Sequence, residues 1–312
     1  MIKRAVTTIC LLAGLAAPCP ALADTTVAPD PAAGQITALD GTVVWVSGEF
    51  GAQSLMQRTA AGVARVAGAP TARSYRSLDL GRDAAGDLVL TYQRCATTRR
   101  CVIRRDDLQG HRRSVPLPAP ARCTPSTAPA LWRDRAAYGL LCRTPGGRAD
   151  DARSGLYVST RGGTPRRLPL PRDAVRFGIS DIAAVDLRGT RVGAVAADIY
   201  EYAFSATVTG RYQRSFLAAA SEGDTDAHAV GLALGPGGVL WALVNSEHAG
   251  DPNLTAIHRL GAQCLQSERL ETPAEPGGFR YGDLAVDGDA LYLVAPGTGI
   301  VTHAFAPERA CP

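Results

Sequence analysis

The sequence predicts an all-β protein, a six-bladed β-propeller built from four-stranded antiparallel blades. Three observations lead there. Beyond residue 23 helical periodicity is nearly absent, and short alternating β-branched runs are separated by Gly, Asp and Pro. A turn followed by a hydrophobic strand recurs at intervals of 45 to 55 residues, with anchors at 41, 86, 134, 189, 237 and 288. After most anchors come an apolar strand, a Gly-containing turn and a strand carrying Arg and Leu, as in Gly155 to Leu168. Each unit therefore supplies about four short strands, and radial repetition of such units makes a propeller.

Taken in order, residues 1–23 read as a signal peptide. Lys3 and Arg4 precede the apolar run Ala5 to Pro18, Pro18 and Pro20 break it, and Ala21-Leu-Ala23 offers the small-x-small cleavage pattern. The apolar run is shorter than the ~20 residues of a membrane span. The expected location is periplasmic or secreted, with no transmembrane segment. Residues 24–35 form an N-terminal extension, in which Thr25 to Ala28 can supply the outer strand that the last blade lacks; Pro29 and Pro31 limit its length. Residues 36–312 are expected to form a single propeller domain.

The anchors open clear strands: Thr42-Val-Val-Trp-Val46, Asp87 to Tyr92, Val239 to Leu243 and Asp289 to Val294. The weakest copy is Asp134 before Ala136 to Leu141. Four residues past each anchor stand Trp45, Leu90, Tyr138, Gly193, Trp241 and Tyr292, mostly large residues suited to packing between sheets. The Asp-Gly-hydrophobic turn, together with the Leu156-Tyr-Val hairpin ending in Arg166-Arg-Leu168, resembles the repeats of TolB-like (PD40-type) periplasmic propellers. This resemblance runs loosely over residues 36–306, and blade three's anchor and blade four's hairpin depart from it. It implies a propeller in a cell-envelope setting and brings no catalytic residues with it.

Of the eight cysteines, six follow the signal segment: Cys95, Cys101, Cys123, Cys142, Cys264 and Cys311. An even number in an exported chain reads as disulfides, and no pair has the two-residue spacing of a zinc site. Placing them by strand parity, with Cα atoms within ~7 Å, pairs 95 with 101, 123 with 142 and 264 with 311.

The formal charge is +4, Lys3 and Arg4 included, too little to argue for nucleic acid. The arginines at 99, 100, 104, 105, 112 and 113 have Asp106 and Asp107 beside them and lack interleaved aromatics, which reads as a solvated strand face. No Gly-x-Ser-x-Gly elbow, glycine-rich phosphate loop or His-Glu-x-x-His occurs.

The candidate site lies at the mouth of the channel, where loops on a rigid scaffold carry function. Asp79, Asp181, His228 and Asp283 fall near the starts of innermost strands, as an acidic ring suited to a cationic ligand. Arg280 and Tyr281 stand beside Asp283. Asp224, Asp226 and His228 offer the donor types of a divalent-metal site such as Ca, although no cofactor is otherwise expected. Tyr200, Tyr202, Phe204 and Tyr212 are of a type to stack on a sugar or peptide, or to cover a sheet face. Two readings follow. In the first the protein is a monomeric binding or interaction module for a protein or envelope ligand. In the second it is a metal-assisted hydrolase or lactonase that uses the acidic ring.

Overall fold

A computed structural model describes residues 24–97, 100–115, 117–160, 163–211, 214–220, 225–248, 252–262, 264–272 and 278–309. The predicted signal segment, Tyr212, Asp224 and Cys311 lie outside these. The first strand, β1 (Thr25–Pro29), is followed by the meander β2 (Ala33–Leu39), β3 (Thr42–Ser47), β4 (Ser54–Thr59) and β5 (Gly62–Arg65). The turn from β2 to β3 places both Asp40 (φ 54°) and Gly41 (φ 76°) in the left-handed region. Two-residue hairpins favour that geometry because it matches the twist of the flanking strands. It leaves Val43, Val44, Trp45 and Val46 almost wholly buried, since β3 is covered on both faces by neighbouring sheets.

The chain continues through β6 (Ser74–Arg82), β7 (Leu88–Cys95), β8 (Cys101–Asp106) and β9 (Arg112–Ser114). It then forms β10 (Cys123–Pro125), β11 (Ala130–Trp132), β12 (Arg135–Cys142), β13 (Gly155–Thr160) and β14 (Arg166–Arg167), and a short helix α1 (Arg172–Arg176). Two further meanders follow. One is β15 (Ile182–Arg188), β16 (Arg191–Ala197), β17 (Tyr200–Thr207) and β18 (Arg214–Ala220). The other is β19 (Thr225–Leu234), β20 (Leu240–His248), β21 (Asn253–Leu260) and β22 (Leu265–Thr272). The last strands are β23 (Leu284–Asp287), β24 (Ala290–Ala295) and β25 (Gly299–His303).

The expectation of six separate four-stranded blades is corrected here. The described residues form a β-propeller with four four-stranded antiparallel blades, β2–β5, β15–β18, β19–β22 and β23–β25 with β1, plus one nine-stranded sheet holding β6 to β14. The joint in that sheet is a parallel bridge between Arg82 of β6 and Trp132 of β11, reinforced by the Arg133 N–H donating to the Arg82 carbonyl at 2.7 Å. Gly81 is the physical reason. A Cβ there would overlap the Leu131 carbonyl oxygen, so only glycine lets the two backbones come close enough to join.

β1 pairs antiparallel with β25, so the outer strand of the last blade comes from the start of the described chain. The hydrophobic core is correspondingly divided into layers between sheets. Val44, Leu55, Tyr75 and Tyr92 pack between β2–β5 and β6–β9, and Leu156, Leu168, Ile182 and Phe204 pack around α1. Trp45, Val43 and Ile300 join the first and last sheets. Each such side chain contributes about 1.5–3 kcal/mol when fully buried. Gly193 interrupts the run of large residues after the anchors because Leu234 and Leu240 of the next sheet fill its place.

Two disulfides form as the cysteine positions predict. Cys95 and Cys101 stand opposite each other on β7 and β8, and Cys123 and Cys142 on β10 and β12. The Cys264–Cys311 pairing falls partly outside the described residues. Among the described residues, no helix is long and apolar enough to cross a membrane.

Candidate functional site

The innermost strands place polar side chains along the channel, where hydrogen bonds between sheets engage most of them. Thr37 Oγ1 accepts the Leu80 N–H at 2.9 Å, Asp186 Oδ2 accepts the Leu234 N–H at 2.6 Å, and Asp283 Oδ2 accepts the Ile36 N–H. Arg188 crosses the channel: its Nη2 donates to the carbonyls of Ala38 at 2.8 Å and Val286 at 2.7 Å. Its Nε lies 3.9 Å from Asp186 Oδ2. A void of about 30 Å³ beside this arginine is lined by Asp79, Asp186 and Thr37, and a cavity of about 130 Å³ is lined by Gln35, Ser77, Thr127 and Asp283.

Burial, and then the neighbouring Asp186 charge, hold the Asp79 carboxyl well above the ordinary range. Burial also raises Asp186, but Arg188 and the Leu234 N–H stabilise its charged form. The channel thus carries its own fixed cation, a guanidinium facing one carboxylate. Asp283 is enclosed by protein atoms, with part of its surface open to the channel. Burial pushes it up to about 7, against the opposing N–H groups of Ile36 and Leu284.

Of the predicted ring, Asp79 and Asp283 line two adjoining cavities, which share Ile36, Leu78, Val185 and Leu232. Asp181 lines neither; burial raises its carboxyl, and Asp198 adds to the effect. His228 sits on β19 with Nδ1 3.0 Å from Glu201 Oε1 and Nε2 2.9 Å from Asp226 Oδ1. The Glu201 hydrogen bond, aided by both negative charges, raises its pKa despite partial burial. Glu201 Oε2 also accepts the Ala229 N–H at 2.6 Å, so this acid joins neighbouring sheets as well. Among the described residues, no group of three or more His, Cys, Asp or Glu side chains is placed to hold a metal ion. Of the aromatic run, Tyr202 and Phe204 are core residues, while Tyr200 stacks on Phe177 with centroids 4.7 Å apart.

Arg280 and Tyr281 belong to a different cluster. The buried Tyr281 hydroxyl donates to Asp24 Oδ2 at 2.6 Å, and Arg280 Nη2 lies 3.6 Å from the same oxygen. His303 stands between two carboxylates, with Nδ1 2.8 Å from Asp24 Oδ1 and Nε2 3.0 Å from Glu268 Oε2. Burial alone would raise Asp24, but the hydrogen bonds to Tyr281 and His303 outweigh it and hold the carboxyl below its usual value. The cluster fastens the start of β1 against β25.

Sequence reasoning did not find the cavity of about 340 Å³ between the sheets of β19–β22 and β23–β25. It is lined by Trp241, Arg259, Phe305, His303 and Asp289 at the anchor-turn end of those sheets. Cross-strand register sets Trp241 opposite Arg259. The guanidinium lies 5.5 Å from the indole centroid, and Phe305 meets the same ring edge-on at 5.0 Å. Arg259 Nη1 donates to Gln266 Oε1 at 2.8 Å, and the arginine has no ion-pair partner among the described residues. The signal for this site was present in Trp241, which its place in the repeat made look like an ordinary packing residue.

No family model and no curated protein matches the chain. Similarity appears among solved structures. One is a protein of unknown function from Dyadobacter fermentans, with a TM-score of 0.54 and 10% identity, covering 90% of this chain and 97% of that one. Another is the Hadza microbial sialidase Hz136, with a TM-score of 0.50 and 11% identity, covering 91% of this chain and 67% of that one. At such identities the likeness shows the fold alone: a β-propeller related broadly to propeller-fold proteins, with no specific match to the TolB-like family.

Proposed function

We propose that the protein is a non-catalytic binding module, exported to the periplasm or beyond, that holds its ligand at the junction of β19–β22 with β23–β25. The observation that carries this reading is the preformed cavity walled by Trp241, Phe305 and Arg259. The Trp241 ring is held by the edge-on contact with Phe305 and by the Arg259 guanidinium. A ligand there meets a rigid surface, so little ordering entropy opposes binding. The engagement of Asp186, Asp283 and Glu201 in hydrogen bonds between sheets also favours binding over chemistry in the channel. Two disulfides support an oxidising compartment.

The test uses 8-anilinonaphthalene-1-sulfonate, an aromatic anion, titrated into the full chain and read by its emission. One molecule should bind per chain, and Arg259→Gln and Phe305→Leu should each weaken binding at least tenfold with unaltered circular dichroism. Binding indifferent to both substitutions overturns the site. Stoichiometric divalent metal, with ester or lactone hydrolysis that is lost in Asp79→Asn, overturns the non-catalytic reading.

A further inference from the structure

A second cavity, of about 300 Å³, lies where the two halves of the nine-stranded sheet meet. One wall is apolar and includes Leu117, Pro118 and Leu131. The remainder is dominated by guanidinium groups: Arg105, Arg113, Arg133 and Arg135, set against the carboxylates of Asp83 and Asp134. Two of the four arginines are engaged. Arg105 forms an ion pair with Asp83, and Arg135 Nη1 donates to the Gly189 carbonyl at 3.0 Å. Among the described residues, the side chains of Arg113 and Arg133 make no hydrogen bond or ion pair, and both residues are exposed. Among the described residues the lining therefore carries an excess of two positive charges, and its unengaged cations border apolar side chains.

An independent feature concerns the backbone. In the two-residue turns of the other inner hairpins the first position is also left-handed, and it is held by glycine at Gly189 (φ 62°) and Gly288 (φ 58°) and by Asp40 (φ 54°) in the β2–β3 turn. At the corresponding turn between β11 and β12 the left-handed residue is Arg133, with φ 58°. A side chain at such a position is strained, and the strain persists only because its surroundings hold it, here through the Arg133 N–H on the Arg82 carbonyl. Arg133 is exposed there. Its effect is to put a guanidinium at the mouth of the cavity.

We infer that this cavity binds a phosphomonoester dianion carried on an apolar body. A dianion matches the excess of two charges, and guanidinium forks suit tetrahedral oxyanions. Leu117, Pro118 and Leu131 take the apolar part. The shared chemistry is the phosphate, and the apolar wall selects an amphiphile over the free ion. This site is separate from the Trp241 cavity, so either assignment can fail without the other.

Isothermal titration calorimetry of the full chain with hexyl phosphate, inorganic phosphate and hexyl glucoside tests the inference. Hexyl phosphate should bind one per chain, at least tenfold more tightly than inorganic phosphate, and hexyl glucoside should not bind. Arg133→Gly should weaken hexyl phosphate at least tenfold while the melting temperature stays level or rises, since glycine relieves the turn. Arg113→Gln should weaken it similarly. Equal binding of hexyl and inorganic phosphate overturns the apolar contribution. Binding unchanged in Arg133→Gly, or absence of binding by hexyl phosphate, overturns the site.

Discussion

Asp283 Oδ2 accepts the backbone N–H of Ile36 at 2.9 Å, joining two residues 247 positions apart in the chain. Through this contact the last sheet holds the inner strand of the first, and a half-buried carboxyl stands at a seam of the ring. Its neighbour Asp287 repeats the device, accepting the N–H groups of Asp40 and Gly41.

That position makes stability depend on pH. Burial pushes Asp283 up to about 7 in the folded chain, whereas the unfolded chain titrates in the ordinary carboxylate range. Between those values the folded state binds more protons, so stability falls as pH rises from about 4 to about 7 and levels off above. Between pH 5 and 8, wild type should lose about 2 to 3 kcal/mol relative to Asp283→Asn. Urea unfolding midpoints of both proteins at the two pH values measure this. An identical pH dependence in both would remove Asp283 as its source.

Arg188 is the densest polar crossing in the channel. Arg188→Met keeps most of the stem but leaves the Ala38 and Val286 carbonyls unpaired and Asp186 without its counter-charge. The expected cost is about 3–5 kcal/mol by chemical denaturation. Adding Asp186→Asn should recover part of it, since the amide oxygen can still accept from Leu234. A cost near zero for the single variant would mean that the crossing does not stabilise the ring.

Gly81 and Gly86 lie five residues apart and separate two kinds of glycine requirement. A Cβ on Gly81 overlaps backbone, the Leu131 carbonyl, whereas one on Gly86 meets nothing within 4 Å. Gly86→Ala should cost about 1 kcal/mol from its positive φ alone. Gly81→Ala should cost at least about 2 kcal/mol more, with β6 and β11 forced apart. Thermal unfolding of the two variants makes the comparison, and equal losses would contradict the close-approach argument.

Much of the strand pattern was legible because it rests on local chemistry. Asp40-Gly41 makes a hairpin turn with residues that accept positive φ, and the alternation after it marks β3. Strand parity paired Cys95 with Cys101 and Cys123 with Cys142, because a disulfide across a ladder depends only on which strand ends adjoin. The joined sheet was not legible: it depends on a tertiary approach at Gly81, and the turn beside it, Arg133-Asp134, lacks the glycine that marks the other anchors. The polar network of the channel was half legible. Asp79, Asp283 and His228 were picked out as polar residues at strand starts, but the partners Asp186 and Glu201 lie on other sheets, and Arg188 stands directly before the anchor at 189 with nothing local to mark its reach across the channel. Trp241 and Arg259 meet through cross-strand register, which no local pattern in either segment announces.

The pairing of β1 with β25 sets Thr25 against Thr302. Either strand without the other presents a row of unpaired N–H and C=O groups, a template on which a second copy of the chain can pair. The contact that closes the ring is therefore also the one that guards it against edge-to-edge association.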